Sequence, residues 1–383
     1  MDINFLQNIE FDFPHILIGI LGLTLLIQLY FILIVHGKLA FYKIKELKKT
    51  TNKLPVSVII CAHNEEDNLK SFLPAILRQN YPDFEVVVVN DDSSDDTNWI
   101  LKEFCSRYSH LRVIDIKEHI RLKHNKKFAL SIGIKGAKHN HMLLTDADCE
   151  PTSDQWLEHM MQPYQDTDKE IVLGYSPYFK KKGFLNKFIR FETTFTAMTY
   201  LGMALKKRAY MGVGRNLSYT KELFYRGKGF NAHMHIRSGD DDLFINHNAN
   251  RRNTAICIHP EAHIYSLPQT SWKSYYKQKA RHSTASTAYK KRYKITLGLQ
   301  YVSALLFYLT FIAALIFIPY LWYMSVFAYF FRLLCQLCVY YPVFKKLSVE
   351  DLIWAFPFLD LFYYFFISIN GILNRHKKQI AWS

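Results

Sequence analysis

The chain has 383 residues, of which 50% are hydrophobic, and its formal net charge at pH 7 is +15. This length provides for one globular core of roughly 250 residues together with further segments. The positive charge does not indicate a nucleic-acid-binding protein, because the cations are spread over segments beside apolar runs and over residues 180–295, and the sequence contains no nucleic-acid-binding motif.

The first apolar run, at residues 16–35, is long enough to cross a lipid bilayer as a helix. Acidic residues precede it and a lysine-rich segment at 38–53 follows it, which does not fit a cleaved signal peptide. The positive-inside rule places the lysine-rich segment in the cytoplasm, with the N-terminus outside. We therefore expect an integral protein of a bacterial inner membrane whose globular domain is cytoplasmic.

Short β-branched runs alternate with helical patterns between residues 55 and 145. We predict strands at 55–61, 85–89, 111–116 and 141–145, with helices between them. This alternation predicts an α/β fold in which a mostly parallel sheet carries helices on both faces. Ligands bind outside the carboxyl ends of such strands. Polar clusters occur at these ends, at 63–67, 90–97 and 145–150.

The last cluster contains Asp146 and Asp148, which follow a buried strand two residues apart. At this spacing both carboxylates point to the same side of an extended segment. Hard oxygen ligands of this kind suit Mg²⁺ or Mn²⁺. The alternative for so short a motif is a strand-end turn with two solvated acids. The sequence contains neither a dinucleotide-binding nor a P-loop glycine pattern.

Four segments, in order and spacing, resemble glycosyltransferase family 2: VSVIICAHNE at 56–65, DDSSD at 91–95, KKFAL at 126–130 and DAD at 146–148. The resemblance covers residues 55–285. It implies an inverting, nucleotide-sugar-dependent enzyme with a GT-A fold. The apolar segments make the chain similar to the membrane-bound branch that includes ceramide glucosyltransferase and hyaluronan-synthase-like enzymes.

The resemblance also implies roles for individual residues. Ala62, His63 and Glu65 would line a nucleoside pocket, and either Asp91 or Asp92 would contact the uracil or ribose. Lys126 would face the diphosphate of a UDP-sugar. Asp148, together with Asp146, would hold the divalent cation that bridges this diphosphate. A cation there would stabilise the charge that develops on the leaving group.

The second half of the chain resembles the family in two further segments. MGVGRNLSY at 211–219 resembles a glycine-rich, acceptor-side segment that contains Asn216, although a strand with a glycine bend is an equal alternative. SGDDDL at 238–243 resembles the acidic motif that supplies the catalytic base, which takes the proton of the acceptor hydroxyl. We expect Asp241 to be this base, with Asp240 in support. The alternative is an N-cap for the following helix.

A third segment, QKARH at 278–282, resembles a Q-x-x-R-W motif with His282 in place of tryptophan. Gln278 and Arg281 lie on one helix face at this spacing, and Arg281 would pair with the diphosphate or with an acidic motif. Tryptophan in this motif stacks against the acceptor. Histidine there weakens the case for a processive polysaccharide synthase.

Phenylalanines recur at helical spacing in residues 183–203, with basic residues beside them. This pattern indicates an amphipathic helix in the membrane interface, and the alternative is a helix packed on the core. Further membrane spans are predicted at 298–317, 320–341 and 351–373. Asp360 lies in the last of these, where a carboxylate is costly unless it faces protein or water.

These segments divide the chain into four regions. Residues 1–50 form an N-terminal anchor, 51–180 a nucleotide-sugar-binding half, 181–295 an acceptor half and 296–383 a C-terminal membrane region. The sequence predicts a metal-dependent hexosyltransferase that transfers a sugar to a hydroxyl of a lipid, lipid-linked or polysaccharide acceptor at the cytoplasmic face. The alternatives are a processive synthase and an inactive nucleotide-sugar-binding scaffold. The sugar, the acceptor and the oligomeric state are not determined by the sequence.

Overall fold

The structure, a computed structural model, describes residues 13–48, 52–117, 126–166, 168–236 and 238–374, with side chains to residue 371. The strands are β1 (Val56–Ala62), β2 (Phe84–Asp91), β3 (Leu111–Ile116), β4 (His141–Asp146), β5 (Cys149–Pro151), β6 (Ile171–Leu173), β7 (Leu217–Thr220), β8 (Thr254–Ile256) and β9 (Ile264–Ser266). The helices of the globular domain are α3 (Glu66–Leu77), α4 (Thr97–Arg107), α5 (Lys126–Gly136), α6 (Trp156–Met161), α7 (Phe184–Leu205), α8 (Lys221–Arg226), α9 (Asp242–Asn248) and α10 (Trp272–Ser286).

Seven strands form one sheet in the order β3-β2-β1-β4-β7-β6-β8. The first four strands of the chain are parallel, and β7 is antiparallel to both of its neighbours. All seven residues of β1 are buried, as its continuous apolar sequence predicts for a central parallel strand. The predicted mostly parallel α/β fold is confirmed.

The two faces of the sheet carry different helices. Buried residues of α3, α4 and α6 cover one face, while α5 and α7 cover the other. Helix α5 lies directly on the sheet because residue 133 is glycine. A Cβ at Gly133 would lie 2.9 Å from Cγ2 of Ile59 and 2.9 Å from Cγ2 of Val89. The absence of a side chain at this position therefore allows α5 to pack closely on β1 and β2.

The strand register brings the predicted polar clusters together. Ala62 pairs with Asn90, and Cys61 pairs with Asp146, so β1, β2 and β4 end at the same edge of the sheet. Beyond β4, the short strand β5 pairs with β9, with Cys149 opposite Ser266. The fold therefore gathers the polar clusters along this edge of the sheet. We refer to the region that these clusters border as the cleft.

Helix α7 exists at the predicted position, but beyond the exposed Phe184 at its start its phenylalanines are covered by protein. Phe188, Phe191 and Phe195 are all buried in protein. The helix packs so closely on the first apolar segment that a Cβ at Gly202 would lie 2.4 Å from the carbonyl oxygen of Val35. The expected interface helix is thus corrected to a core helix between the globular domain and the apolar helices, because both of its sides find protein partners.

Three helical segments among the described residues are long and apolar enough to cross a membrane: Phe13–Ala40, Lys291–Phe317 and Pro319–Lys346. The first consists of α1 (Phe13–Leu29), a π-helical segment Tyr30–His36 and α2 (Gly37–Ala40). The second is α11 (Lys291–Phe317), and the third contains α12 (Trp322–Lys346). In the predicted span 351–373, α13 (Phe356–Asn374) follows a 3-10 turn. The basic tail at 375–378 lies outside the described residues.

Asp360 on α13 is fully buried and faces protein, which satisfies the condition that its sequence position imposes. Its Oδ2 atom lies 2.9 Å from Nη2 of Arg332 on α12 and accepts a hydrogen bond of 2.7 Å from the Tyr308 hydroxyl on α11. The Nη2 atom of Arg332 also donates to Gln28 Oε1 on α1 at 3.1 Å. One buried ion pair therefore joins all four apolar helices.

Replacing Arg332 by methionine is expected to destabilise the protein by about 3–5 kcal/mol, because Asp360 would remain as a buried charge without its partner. Unfolding of the protein in detergent micelles measures this loss. The double variant Arg332→Met/Asp360→Leu is expected to recover most of it, because no buried charge remains.

The control is Arg107→Met, which removes an exposed pair with Glu103 at 2.5 Å. Exposed pairs contribute about 0–1 kcal/mol. Equal losses of stability for the Arg332 and Arg107 variants would contradict the role of the buried pair.

Candidate active site

A single lysine links the two acidic motifs at the edge of the sheet. Lys126, at the start of α5, has its Nζ atom 2.7 Å from Asp146 Oδ1 and 3.5 Å from Asp240 Oδ2. Three segments that are far apart in the sequence therefore meet at one ammonium group. The structure places Lys126 between the end of β4 and the acidic motif.

The next residue, Lys127, points away from the cleft and holds the segment that leads to the acidic motif. Its buried Nζ atom donates to the carbonyl oxygens of His233 at 2.7 Å and Ile236 at 2.9 Å. Burial lowers the pKa of Lys127 to about 8. The sequence does not predict this role, because it does not show which of two adjacent lysines points into the protein.

Asp146 and Asp148 occupy different electrostatic surroundings. Burial acts to raise the pKa of Asp146, but Lys126, Arg215 and Arg281 outweigh it and hold this pKa below its ordinary value. Burial and the neighbouring charge of Asp146 raise the pKa of Asp148. The Oδ2 atom of Asp148 accepts a hydrogen bond of 2.9 Å from Ser266 Oγ on β9. Two carboxylates two residues apart, one of which raises the pKa of the other, supply hard oxygen ligands of the kind that fits a divalent cation.

The three aspartates of the acidic motif have three different environments. Asp241 Oδ2 accepts a 2.7 Å hydrogen bond from the Gly214 amide, and its Oδ1 accepts one of 2.7 Å from the Asp242 amide as the N-cap of α9. Asp242 Oδ2 accepts a 2.6 Å hydrogen bond from the Tyr289 hydroxyl. Only Asp240, among the three, forms an ion pair with Lys126 in the described part of the chain.

Burial dominates the titration of the two inner aspartates. Burial and the charge of Asp240 raise the pKa of Asp241 to about 6. Burial and the charge of Asp241 raise the pKa of Asp242 to about 8. The predicted N-cap alternative is confirmed for Asp241, while Asp240 is the member of the motif that faces Lys126.

The residues expected to line a nucleoside pocket lie where β1 and β2 end. His63 Nδ1 is 2.6 Å from the carbonyl oxygen of Asp91. Burial raises the pKa of Glu65 to about 7. Asp91 is buried, whereas Asp92 is exposed and has a left-handed φ of 51°. Ala62 has no exposed surface, so the expectation that it lines the pocket is corrected to a supporting position beneath it.

Asn216 is not available for an acceptor. It is fully buried, and its Nδ2 atom donates to the carbonyl oxygens of Tyr175 and Ala262, both at 2.9 Å. Its Oδ1 atom accepts a hydrogen bond of 3.1 Å from Trp156 Nε1. Because the amide is fully used inside the protein, the expected acceptor contact is corrected to a structural role in holding the glycine-rich segment.

Arg215, for which the sequence predicts no role, acts through its charge on Asp146 and Asp148. Its guanidinium lies 4.2 Å from the ring centroid of Tyr178, and its Nη2 atom donates to the Ser176 carbonyl oxygen at 3.3 Å. Its Nη1 atom is buried and has no hydrogen-bond partner among the described residues. The charge of Arg215 acts to lower the pKa of Asp148 as well as that of Asp146.

Helix α10 brings the last predicted motif to the cleft. Gln278 Nε2 donates to the Tyr178 hydroxyl at 3.4 Å, which places it near Arg215. The carbonyl oxygen of Arg281 accepts a hydrogen bond of 3.1 Å from Ser238 Oγ, next to the acidic motif. The His282 side chain is exposed. The motifs at 146–148, 238–243 and 278–282 therefore lie close together in the structure.

This combination of a mostly parallel sheet, paired carboxylates at a strand end and a facing acidic motif is the architecture of a nucleotide-sugar transferase. Residues 57–227 match the model of Glycosyl transferase family 2, and residues 146–345 match that of Glycosyl transferase family group 2. The second match covers more than half of the chain. The chain belongs to the family 2 glycosyltransferases.

Individual relatives match over part of their length. Glycosyltransferase AglE of Haloferax volcanii is 33% identical over 127 residues, which are 32% of this chain and 40% of that protein. A 4,4'-diaponeurosporenoate glycosyltransferase of Staphylococcus aureus is 29% identical over 171 residues, 44% of this chain and 43% of that protein. The chain thus spans about two-fifths of the length of these curated relatives.

The fold is shared with a solved structure, the mannosyltransferase PcManGT from Pyrobaculum calidifontis in complex with GDP-mannose and Mn²⁺. The TM-score is 0.56 at 16% sequence identity, and the similarity covers 89% of this chain and 96% of that one. This similarity shows that the two chains have the same fold.

Replacing Asn216 by alanine is expected to destabilise the protein by about 1–3 kcal/mol, because Trp156 Nε1 and two buried carbonyl oxygens lose their partner. Thermal unfolding measures this loss. The control is Asn231→Ala at an exposed position. An Asn216→Ala protein that unfolds like the control but binds acceptor more weakly would restore the acceptor role.

Proposed function

We propose that this chain is a membrane-bound, inverting hexosyltransferase that moves a sugar from a UDP-sugar to a hydroxyl of a lipid or lipid-linked acceptor at the cytoplasmic membrane surface. The observation that carries this proposal is the bridge that Lys126 forms between Asp146 and Asp240. With Lys126 between them, Asp146 on the proposed donor side and Asp240 as the candidate base would border one sugar-diphosphate, which supports a direct displacement at a sugar carbon.

We assign the base to Asp240 rather than Asp241 on geometry. Both oxygens of Asp241 accept backbone hydrogen bonds, and Asp242 is bound by Tyr289, whereas Asp240 faces the cleft beside Lys126. In the proposed step, the acceptor oxygen bonds to the anomeric carbon as the bond from that carbon to the diphosphate oxygen breaks. The hydroxyl proton passes to the Asp240 carboxylate, and the nucleoside diphosphate leaves.

Asp148 and Asp146 are the residues that would hold a divalent cation, Mg²⁺ or Mn²⁺. When bound, such a cation supplies positive charge that stabilises the leaving diphosphate. The Mn²⁺ in the complex of PcManGT, which has the same fold, supports this part of the proposal. Lys126 and Arg215 add fixed positive charge on this side of the cleft, close to the two carboxylates.

The contact between α10 and α13 supports an acceptor that arrives from the bilayer. Helix α10 carries Gln278, Arg281 and His282 at the cleft, and its aromatic residues pack on α13. The rings of Tyr276 and Phe366 are 4.9 Å apart between their centroids. The acceptor side of the cleft is therefore attached directly to the apolar helices.

The function is tested by release of the nucleoside diphosphate, UDP or GDP, from the full chain in lipid nanodiscs. The assay uses a panel of UDP-sugars and GDP-sugars, with and without Mn²⁺, and with lipid or water-soluble acceptors. We expect metal-dependent release from a UDP-sugar with a lipid acceptor and one added sugar per product. A ladder of products would indicate a processive synthase instead. Nucleotide binding without turnover of any donor would support the scaffold alternative.

In the same assay, Asp240→Asn is expected to lower transfer by roughly 100- to 10,000-fold, the usual contribution of a general base. Asp241→Asn is expected to have a smaller effect, because Asp241 positions the start of α9. The matched control is Asp168→Asn at an exposed position. A larger loss for Asp241→Asn than for Asp240→Asn would return the base to Asp241.

Arg215 is expected to bind the donor diphosphate through its unpartnered Nη1 atom. Arg215→Met should lower kcat/KM for the donor roughly 10- to 100-fold, the effect of losing a hydrogen bond from a charged group. Arg215→Lys should recover part of this activity, since it keeps the charge but not the planar donor pair.

The control for Arg215 is Arg226→Met, which removes an exposed arginine paired with Glu170 at 2.6 Å. Isothermal titration with UDP separates binding from turnover. Unchanged UDP affinity and unchanged donor KM in Arg215→Met would exclude the diphosphate contact.

A further inference from the structure

A basic cavity of about 410 Å³ lies away from the catalytic cleft, where the globular domain meets the apolar helices. Three parts of the chain form it: the end of α7, the loop after α9 and the first turns of α11. The residues that matter for its chemistry are Lys207, Arg208, Arg251, Arg292, Tyr293 and Thr296. None of the acidic residues of the candidate active site lines it.

The four cations of this cavity lack counter-charges. No carboxylate lines the cavity, and Lys207, Arg208, Arg251 and Arg292 form no ion pair within the part of the chain that the structure describes. Arg292 is instead held by its neighbour, because its Nη2 atom donates to the Tyr293 hydroxyl at 2.7 Å. Four like charges around one cavity favour an anion, and arginine matches the oxygens of phosphate particularly well.

The cavity lies at the level where the apolar surface of α11 begins. Arg292, Tyr293 and Thr296 occupy the first turns of this helix, and Ile295, Leu299 and Val302 follow on one exposed face. Nearby, Lys206 at the end of α7 donates to the Tyr30 hydroxyl at 2.8 Å, within the first apolar segment. A molecule with a phosphate in the cavity could therefore lay an acyl chain along α11.

We propose that this cavity is a binding site for a phosphate group, supplied by the headgroup of an anionic membrane lipid. The proposal is independent of the transfer reaction, since it uses none of the residues of the cleft. Ordinary juxtamembrane cations also attract anionic lipid, with about 1 kcal/mol for each lysine or arginine. A specific site differs from such general attraction, because lipid binding to a site is lost when the cations of the cavity are removed but not when other cations are removed.

The test uses the full chain in nanodiscs that contain phosphatidylglycerol and phosphatidylcholine, followed by native mass spectrometry of the lipids retained. We expect wild-type protein to retain phosphatidylglycerol selectively and Arg208→Gln/Arg292→Gln to retain it roughly tenfold less. The matched control is Lys43→Gln/Lys45→Gln, which removes two exposed cations of the juxtamembrane segment. It is expected to retain the lipid as wild type does.

A second variant, Thr296→Glu, places a negative charge in the cavity with all four cations present and is also expected to release the lipid. Melting curves of each variant establish that it is folded. Inorganic phosphate forms the second arm of the experiment. Binding of inorganic phosphate that is lost in Arg208→Gln/Arg292→Gln, without selective lipid retention, would assign the site to free phosphate. Equal lipid loss in the cavity and control variants, or retention in Thr296→Glu, would overturn the proposal.

Discussion

The cleft depends on the ammonium group of Lys126. Without it, the carboxylates at the end of β4 and in the acidic motif would face each other across a partly dehydrated gap, where like charges repel strongly. With it, Asp146 and Asp240 lie 2.7 Å and 3.5 Å from one cation. Lys126 begins α5, which packs closely on β1 and β2 at Gly133. Packing in the core thus determines the electrostatics of the site.

Residues around this cation act mainly to hold others in place. Lys127 binds the carbonyl oxygens of the segment before the acidic motif, and Asp241 joins that motif to the Gly214 amide. Asn216 fixes the glycine-rich segment from below through Trp156. Each of these groups is buried or partly buried and is satisfied by protein, so little rearrangement of the chain is needed to keep Asp240 and Arg215 in the cleft.

The globular domain and the apolar helices are joined by packing on both sides of α7. One side of α7 meets the sheet, and the other meets the first apolar segment at Gly202 and α13 through its phenylalanines. Arg190 on α7 adds a bidentate ion pair with Asp351, in which Nη1 lies 2.8 Å from Oδ2 and Nη2 lies 2.6 Å from Oδ1. These contacts explain why α7 is a core helix. They also place α10 and the basic cavity beside the apolar helices.

The sequence by itself determined the parallel α/β sheet, the polar clusters at its strand ends and the apolar segments, because strand and helix periodicity and a two-residue carboxylate spacing are local properties. Tertiary structure alone decided which aspartate faces Lys126, that Asn216 is fully bonded within the core, and that the charge of Arg215 acts on the paired carboxylates. It also decided that protein covers Phe188, Phe191 and Phe195 of α7. These features depend on contacts between residues far apart in the chain, and neighbouring residues of one type are distinguished only by the partners that the fold supplies.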